Sequence, residues 1–229
     1  MNRLDLMKRL SRAATASVVV TLAACGLAGA ADTTFNVPAA AVDLPLAPAK
    51  GSQTLVLAGG CFWGVDAVFK HVKGVTSVTS GYSGGEKKTA DYDTVSTGRT
   101  GHAEAVSIVY DPSQVTVGQL LRVFFSVAHN PTELNRQGPD HGTQYRSAIF
   151  YNGDDQKRVV DAYIAQLQNT KIYTAPIVTQ VTPLVAFYPA EDYHQNYLQL
   201  HPMQPYIVIN DKPKVEALKT MFPAIYKAS

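Results

Sequence analysis

The chain has 229 residues, 46% hydrophobic and 17% charged, with a formal charge of +2, which is enough sequence for one buried core of ordinary domain size. Arg3, Lys8, Arg9 and Arg12 stand against Asp5 at the start, leaving 16 basic and 17 acidic residues beyond them. That balance excludes a broad basic surface for nucleic acid.

The opening MNRLDLMKRLSR is basic and AATASVVVTLAA after it is apolar. An apolar run of about a dozen residues is too short to span a bilayer as a mature helix, so it reads as an export signal. A core or amphipathic helix is the competing reading, but only small hydroxyls interrupt Ala13 to Ala24. Leu22-Ala23-Ala24-Cys25 resembles a lipoprotein box, which would end the signal at residue 24 and anchor a lipid on Cys25; this reading is preferred. Ala28-Gly29-Ala30 offers ordinary cleavage instead, giving a signal over 1–30. Either way the expected location is the periplasm or envelope. Residues 25–52 are rich in Ala and Pro, and Pro38, Pro45 and Pro48 interrupt any helix, so a loose tether is expected there. The folded domain is expected over 53–229.

Within it, Thr54 to Ala58 is a short apolar strand candidate broken by Gly59-Gly60, after which Phe62, Val65, Val68, Phe69 and Val72 recur at helical spacing. Gly74 can cap that helix behind Lys70, His71 and Lys73. Strands are predicted at Val75 to Ser80, His102 to Tyr110, Tyr145 to Tyr151 and Ile177 to Tyr188, with helices at Val117 to Ala128, Asp155 to Gln168 and Glu191 to Leu200. Gly81 to Gly101 and Asn130 to Gly142 read as long loops. The order describes an α+β domain with a mixed sheet.

Only two cysteines exist, and Cys25 falls in the export signal, so Cys61 stands alone in the domain. AGGCFWG sets that thiol at a strand-to-helix turn, where unpaired amides and the positive end of the helix dipole are expected to stabilise a thiolate. A structural, inert cysteine is the plainer reading. Trp63, the single tryptophan, suggests an apolar wall beside the sulfur, whereas Phe62 also fits the helix's core stripe. Strand alternation puts Glu104 on the face of Val106, Ile108 and Tyr110, where burial would raise its pKa and suit it to proton donation. A solvent-facing Glu104 paired with Arg99 is the alternative. Tyr92 and Tyr145 can donate phenolic hydrogen bonds, though bare tyrosines are more often packing. His141 and His194 invite a Cys/His nucleophile pair; their spacing carries no HExxH pattern and no metal site is expected.

Taken in order, AGGCFWG, SGYSGG, TGHAEAV, DPS, RQGPDHGTQYRSAIF, YPAEDYHQNY and HPMQPY resemble the signatures of A-type peptide methionine sulfoxide reductases, from about residue 55 to the C-terminus. The resemblance implies a two-layer α+β sandwich with a ferredoxin-like core, making 53–229 the reductase catalytic domain. It implies that Cys61 attacks the sulfoxide sulfur, that Glu104 protonates the oxygen, and that Tyr92 and Tyr145 orient that oxygen. Phe62, Trp63, Asp140 and His194 form the implied substrate-binding set, with Phe62 and Trp63 on the methyl group. The implied substrate is the S epimer of methionine sulfoxide, free or in proteins, and no cofactor is bound.

Cys61 would be left as a sulfenic acid needing a second thiol. Many members of this family carry recycling cysteines near the C-terminus; this chain reads QPYIVINDKPKV, with Ile207 at such a position, in what is expected to be a flexible tail. An external thiol is therefore expected, thioredoxin-like, glutaredoxin or small molecule, acting on a monomer. The rival readings are a Cys/His hydrolase or acyltransferase and, behind it, a lipid-anchored binding module.

Overall fold

The computed structural model describes residues 34–228. The export signal expected over 1–24 or 1–30, both cleavage sites and Cys25 lie outside the described residues. In chain order the first elements are β1 (Gln53–Gly59), α1 (Phe62–Lys70), β2 (Val75–Ser83), α2 (Tyr92–Val95), β3 (Ala103–Tyr110) and α3 (Val117–Val123). They are followed by β4 (Arg136–Gln137), β5 (Asp140–His141), β6 (Ser147–Tyr151) and α4 (Asp154–Thr170). The chain ends with β7 (Gln180–Pro183), β8 (Phe187–Pro189), α5 (Tyr197–Leu200) and α6 (Lys212–Met221).

Leu55, Val56, Leu57 and Ala58 are all fully buried, because β1 lies in the middle of a six-stranded sheet ordered β7-β6-β1-β3-β2-β8. A run without polar alternation is what a strand covered on both faces requires. Only β6 and β7 pair in parallel; the other neighbours are antiparallel, so the sheet is mixed. Leu55, Leu57, Val106, Ile108 and Ile149 join the main core with α1, α3 and α4, while Val56, Ala58, Ala103, Ala105, Ala148 and Phe150 form a smaller one on the opposite face.

The single strand expected over Ile177 to Tyr188 is instead two strands at opposite ends of the sheet order, joined by Leu184, Val185 and Ala186. Six flat strands would set those edges about 24 Å apart, and so short a link reaches at most about 15 Å. The sheet must therefore curl, and the alanines on its inner face leave room for it to do so. The strand expected to stop at Ser80 runs on to Ser83, because Gly81 and Tyr82 pair with Pro189 and Tyr188. Glycine is required there: a Cβ on Gly81 would lie 2.3 Å from the Tyr188 carbonyl oxygen.

The helix expected over Glu191 to Leu200 is broken at Asn196, whose φ of +56° divides a 3-10 turn at Asp192–His194 from α5. The C-terminal stretch is no loose tail. A wide helical turn, Ile207–Asp211, leads into α6, and Ile207 is fully buried.

The tether is likewise held along residues 34–46. Val37 is fully buried, the Phe35 N–H donates to Ser126 O at 2.7 Å, and Tyr163 Oη donates to Pro38 O at 2.6 Å. Arg122 Nε reaches Val37 O at 3.0 Å, and Asp43 Oδ1 accepts the Gly118 N–H at 2.8 Å beside the Thr116–Gln119 capping box of α3. Prolines forbid a helix here, yet the extended backbone finds its partners in side chains of α3 and α4.

Candidate active site

Cys61 is the N-cap residue of α1 and is 8% exposed. Gly60 before it has φ +89°, and a Cβ there would lie 2.5 Å from Gln137, so glycine lets the β4–β5 hairpin close over the turn. The first helical amides are already engaged: Phe62 N–H donates to Glu104 Oε2 at 3.1 Å, and Trp63 N–H reaches the sulfur. The thiolate stabilisation expected at this helix start is outweighed. Burial pushes the Cys61 thiol well above its ordinary pKa, and the carboxyls of Glu104 and Asp211 add to the shift. At rest the group is a thiol.

Glu104 is 2% exposed and projects from β3 towards that thiol, while Arg99, its suggested partner, is on the surface. Burial raises its pKa from 4.5 to about 8, opposed by the Phe62 amide and raised further by Asp140; the Cys61 thiol hydrogen bond also lowers it. A carboxyl in this state holds its proton at neutral pH and can donate it.

An aromatic wall adjoins the pair. Phe62 is 1% exposed and packs 5.0 Å from the His194 ring and 5.9 Å from Tyr82. Trp63 stacks on Tyr197 with ring centroids 3.7 Å apart, and Tyr206 meets it edge-on at 5.9 Å. Trp63 Nε1 donates to His194 Nδ1 at 3.2 Å, the Tyr92 ring lies 4.5 Å from His194, and His194 Nε2 is buried without a partner among the described residues. His194 thus supports the aromatic wall and is not hydrogen-bonded to Cys61, and His141 is exposed on β5. The Cys/His pair invited by the sequence is not formed.

Tyr92 and Tyr145 are half-buried, and both phenols are raised by burial first and by the Glu104 charge second. Asp140 accepts a hydrogen bond from Tyr206 Oη, and burial raises its pKa against that bond. Cys61, Glu104, Tyr92, Tyr145, Phe62, Trp63, Asp140 and His194 are therefore gathered in one region by β3, α1, the hairpin and the loops.

Several neighbours were not singled out from the sequence. Glu191 receives Tyr82 Oη and the Tyr92 N–H, both at 2.9 Å, and so fixes where Tyr92 stands. Glu191 and Tyr197 lie in YPAEDYHQNY and Tyr206 in HPMQPY, so the segments carried the signal without showing which side chains turn inward. Asp211 and Lys214, a buried pair at 3.4 Å, carried none.

The family model for peptide methionine sulfoxide reductase matches residues 53–225. A Mesorhizobium japonicum protein named peptide methionine sulfoxide reductase MsrA 2 is 63% identical over 178 residues, covering 78% of this chain and 91% of that one. A Synechocystis protein of the same name is 51% identical over 180 residues, covering 79% and 84%. Among solved structures, reduced Mxr1 from Saccharomyces cerevisiae superposes with TM-score 0.61 at 33% identity, covering 72% of this chain and 92% of that one. Methionine sulfoxide reductase A of Corynebacterium diphtheriae gives 0.58 at 33% identity, covering 75% and 90%. The chain belongs to the peptide methionine sulfoxide reductase family.

Proposed function

We propose that the protein reduces the S epimer of methionine sulfoxide, free or in proteins, through a sulfenic acid on Cys61. The observation that carries this reading is one buried thiol beside one buried carboxyl, whose pKa burial raises to about 8. Sulfoxide oxygen leaves poorly until it is protonated, so the reaction needs an acid on the oxygen and a nucleophile on the sulfur. Glu104 gives its proton to the oxygen while Cys61 Sγ attacks the substrate sulfur, and the thiol proton replenishes Glu104. The oxygen passes to Cys61, which becomes Cys–SOH as methionine leaves.

Tyr92 and Tyr145 hold the oxygen by donated hydrogen bonds. Phe62 and Trp63, braced by His194, receive the methyl group, and Asp140 takes the polar side of the substrate. The thiol and acid both hold protons at rest, so charge develops only as the S–O bond is attacked.

No second cysteine lies in the domain, so an external thiol, thioredoxin-like, glutaredoxin or small molecule, returns Cys61 to the thiol. The proposed organisation is a signal over 1–24, or 1–30 with ordinary cleavage, and a mature monomer that repairs oxidised proteins in the periplasm or envelope, on a lipid at Cys25 in the first case. The inner strands run β6-β1-β3-β2 with α1 between β1 and β2 and α3 between β3 and β6. This order supports a ferredoxin-like core within a two-layer sandwich.

The test is a single turnover without thiol. One methionine per enzyme should be released, with one oxygen gained on Cys61 by intact mass, and Cys61→Ser should release none while remaining folded. Turnover by folded Cys61→Ser would end this reading.

A further inference from the structure

A cavity of about 50 Å³ reaches Cys61 between the β4–β5 hairpin and the C-terminal segment, and neither Glu104, Tyr92, Tyr145, Phe62 nor Trp63 lines it. It holds a group the size of a few waters. Asp140 and Tyr206 form part of its wall, Ile209 and Asn210 another part, and Lys214 a third. The sulfur is thus open towards a wall of Asp140, Tyr206 and Lys214, which shares Asp140 with the proposed substrate site but none of Glu104, Tyr92, Tyr145, Phe62 and Trp63.

Lys214 is the unusual member. It is 6% exposed, and its ammonium, with three N–H groups to place, has one acceptor among the described residues, Asp211 Oδ1 at 3.4 Å. Asp211 Oδ2 is buried with no hydrogen-bond partner among the described residues. A Cβ on Gly64 would lie 2.2 Å from Asp211 Oδ1 and 2.8 Å from Lys214 Nζ, so a glycine three residues after Cys61 admits the pair against α1. A buried charge with spare donors beside a cavity costs stability unless something anionic uses it.

The recycling half of the reaction supplies such an anion. A thiol attacks sulfenic sulfur as thiolate, in line with and opposite to the departing oxygen. On the reading given above, on which this inference rests, that oxygen stands on the Glu104 side. We propose that the cavity is the port for the CH2–SH head of the recycling thiol and that Lys214 holds its sulfur as thiolate facing Cys61. The new S–S bond forms as the S–O bond breaks; the proton lost by the thiol is balanced by the one Glu104 delivers to the oxygen, which leaves as water. A second thiol attacks the mixed disulfide, freeing Cys61 as a thiol and carrying away the oxidised reductant, so two thiols supply the two electrons.

The experiment forms the sulfenic acid on the full mature protein with one equivalent of sulfoxide peptide. It is then mixed rapidly with 2-mercaptoethanol or with a glutaredoxin, and the mixed disulfide is followed by mass. Lys214→Met is combined with Asp211→Asn so that no unpaired charge is left, and Ile209→Trp, at a residue 59% exposed, narrows the mouth without touching the core. Ile209→Trp should release methionine in the burst at the wild-type rate, and the pair variant, which loses a carboxyl that helps raise the Cys61 thiol, should release it no more slowly than the wild type. Thiol attack should fall about tenfold or more in the pair variant, the loss expected for one charge-assisted hydrogen bond. With Ile209→Trp, slowing of both reductants assigns both to the port, and slowing of one alone assigns that source. Wild-type thiol attack in both variants would overturn the port, as would a burst and a thiol step that fall together. Absence of a burst in the wild type would remove the sulfenic reading first and the port with it.

Discussion

The backbone N–H of Phe62 donates to Glu104 Oε2 at 3.1 Å, across 42 residues of chain. This one bond fastens the carboxyl of β3 to the residue that follows the thiol, so the proposed acid and nucleophile keep their spacing while the loops around them adjust. It also leaves the Trp63 amide as the helix-start donor to the Cys61 sulfur, which burial and the Glu104 and Asp211 carboxyls outweigh.

Glu104→Gln should slow methionine release by roughly 10²-fold or more, the usual scale for a lost general acid. The wild-type rate of the sulfoxide step should fall as pH rises through about 8, where Glu104 loses its proton, and the variant should lack that limb. Single-turnover rates from pH 6 to 10 decide it; equal rates would move the acid role elsewhere.

The same substitution has a stability consequence of definite sign. Glu104 titrates near 4.5 ordinarily and at about 8 in the fold, so between those values the folded protein binds the proton that the unfolded chain has released. Wild-type stability from this group therefore falls as pH rises from about 4.5 to about 8 and levels off above. Glu104→Gln, which can still accept the Phe62 amide, should gain on the wild type across that window. Urea midpoints at pH 5 and pH 9 measure the gain, and an advantage that did not grow with pH would contradict the burial assigned to Glu104.

Tyr206→Phe removes the donor that Asp140 accepts, so the carboxyl loses its fixed orientation and the bond that opposes the rise in its pKa. The KM for a sulfoxide peptide should rise by up to about tenfold, the weight of one hydrogen bond. The single-turnover rate at saturation should change much less. An unchanged KM would separate Asp140 from substrate binding.

Local rules made the thiol's position legible. Gly59-Gly60 marked the turn, helical spacing from Phe62 marked α1, and alternation along β3 turned Glu104 inward. What stayed hidden depends on contacts distant in sequence. Gly81 looked like a strand end because its need is for the approach of Tyr188, and the apolar run from Ile177 did not show that it must cross from one sheet edge to the other. Pro38 and Pro45 ruled out a helix, which local reasoning took for looseness, while Tyr163, Gln166 and Arg122 waited far along the chain to hold that backbone. Lys214 and Asp211 gave no sign because a charged i, i+3 pair reads as helix surface until its burial is known.

Gly64→Ala tests whether the C-terminal segment is packed as tightly as it looks. Alanine favours a helix interior over glycine by about 1 kcal/mol, but its Cβ would lie 2.2 Å from Asp211 Oδ1. Overpacking of that kind costs about 1–3 kcal/mol. The variant should unfold at lower urea than the wild type; a stabilised variant would mean that the Asp211–Lys214 pair yields freely.

Ile207→Cys asks whether an internal recycling thiol can be restored by one substitution. Ile207 is fully buried and does not line the cavity at Cys61, although Tyr206, Ile209 and Asn210 around it do. Its turn is pinned by the Ile207 N–H on Gln204 Oε1 at 3.0 Å, by Tyr206 on Asp140 and by Asp211 with Lys214 against Gly64. A disulfide needs Cα atoms within roughly 7 Å and side chains that face each other, so the new thiol would have to unpack this segment first. Ile207→Cys should therefore lose about 2 kcal/mol of stability, the scale of a truncated buried isoleucine, and still stop after one methionine with its sulfenic acid intact. Asn210→Cys, at a residue that does line the cavity, should close an internal disulfide more readily and then accept a dithiol reductant. Intact mass after a thiol-free burst compares the two, since the disulfide forms with loss of water. An Ile207→Cys protein that formed its disulfide as fast as it released methionine would show that the C-terminal segment swings freely over Cys61.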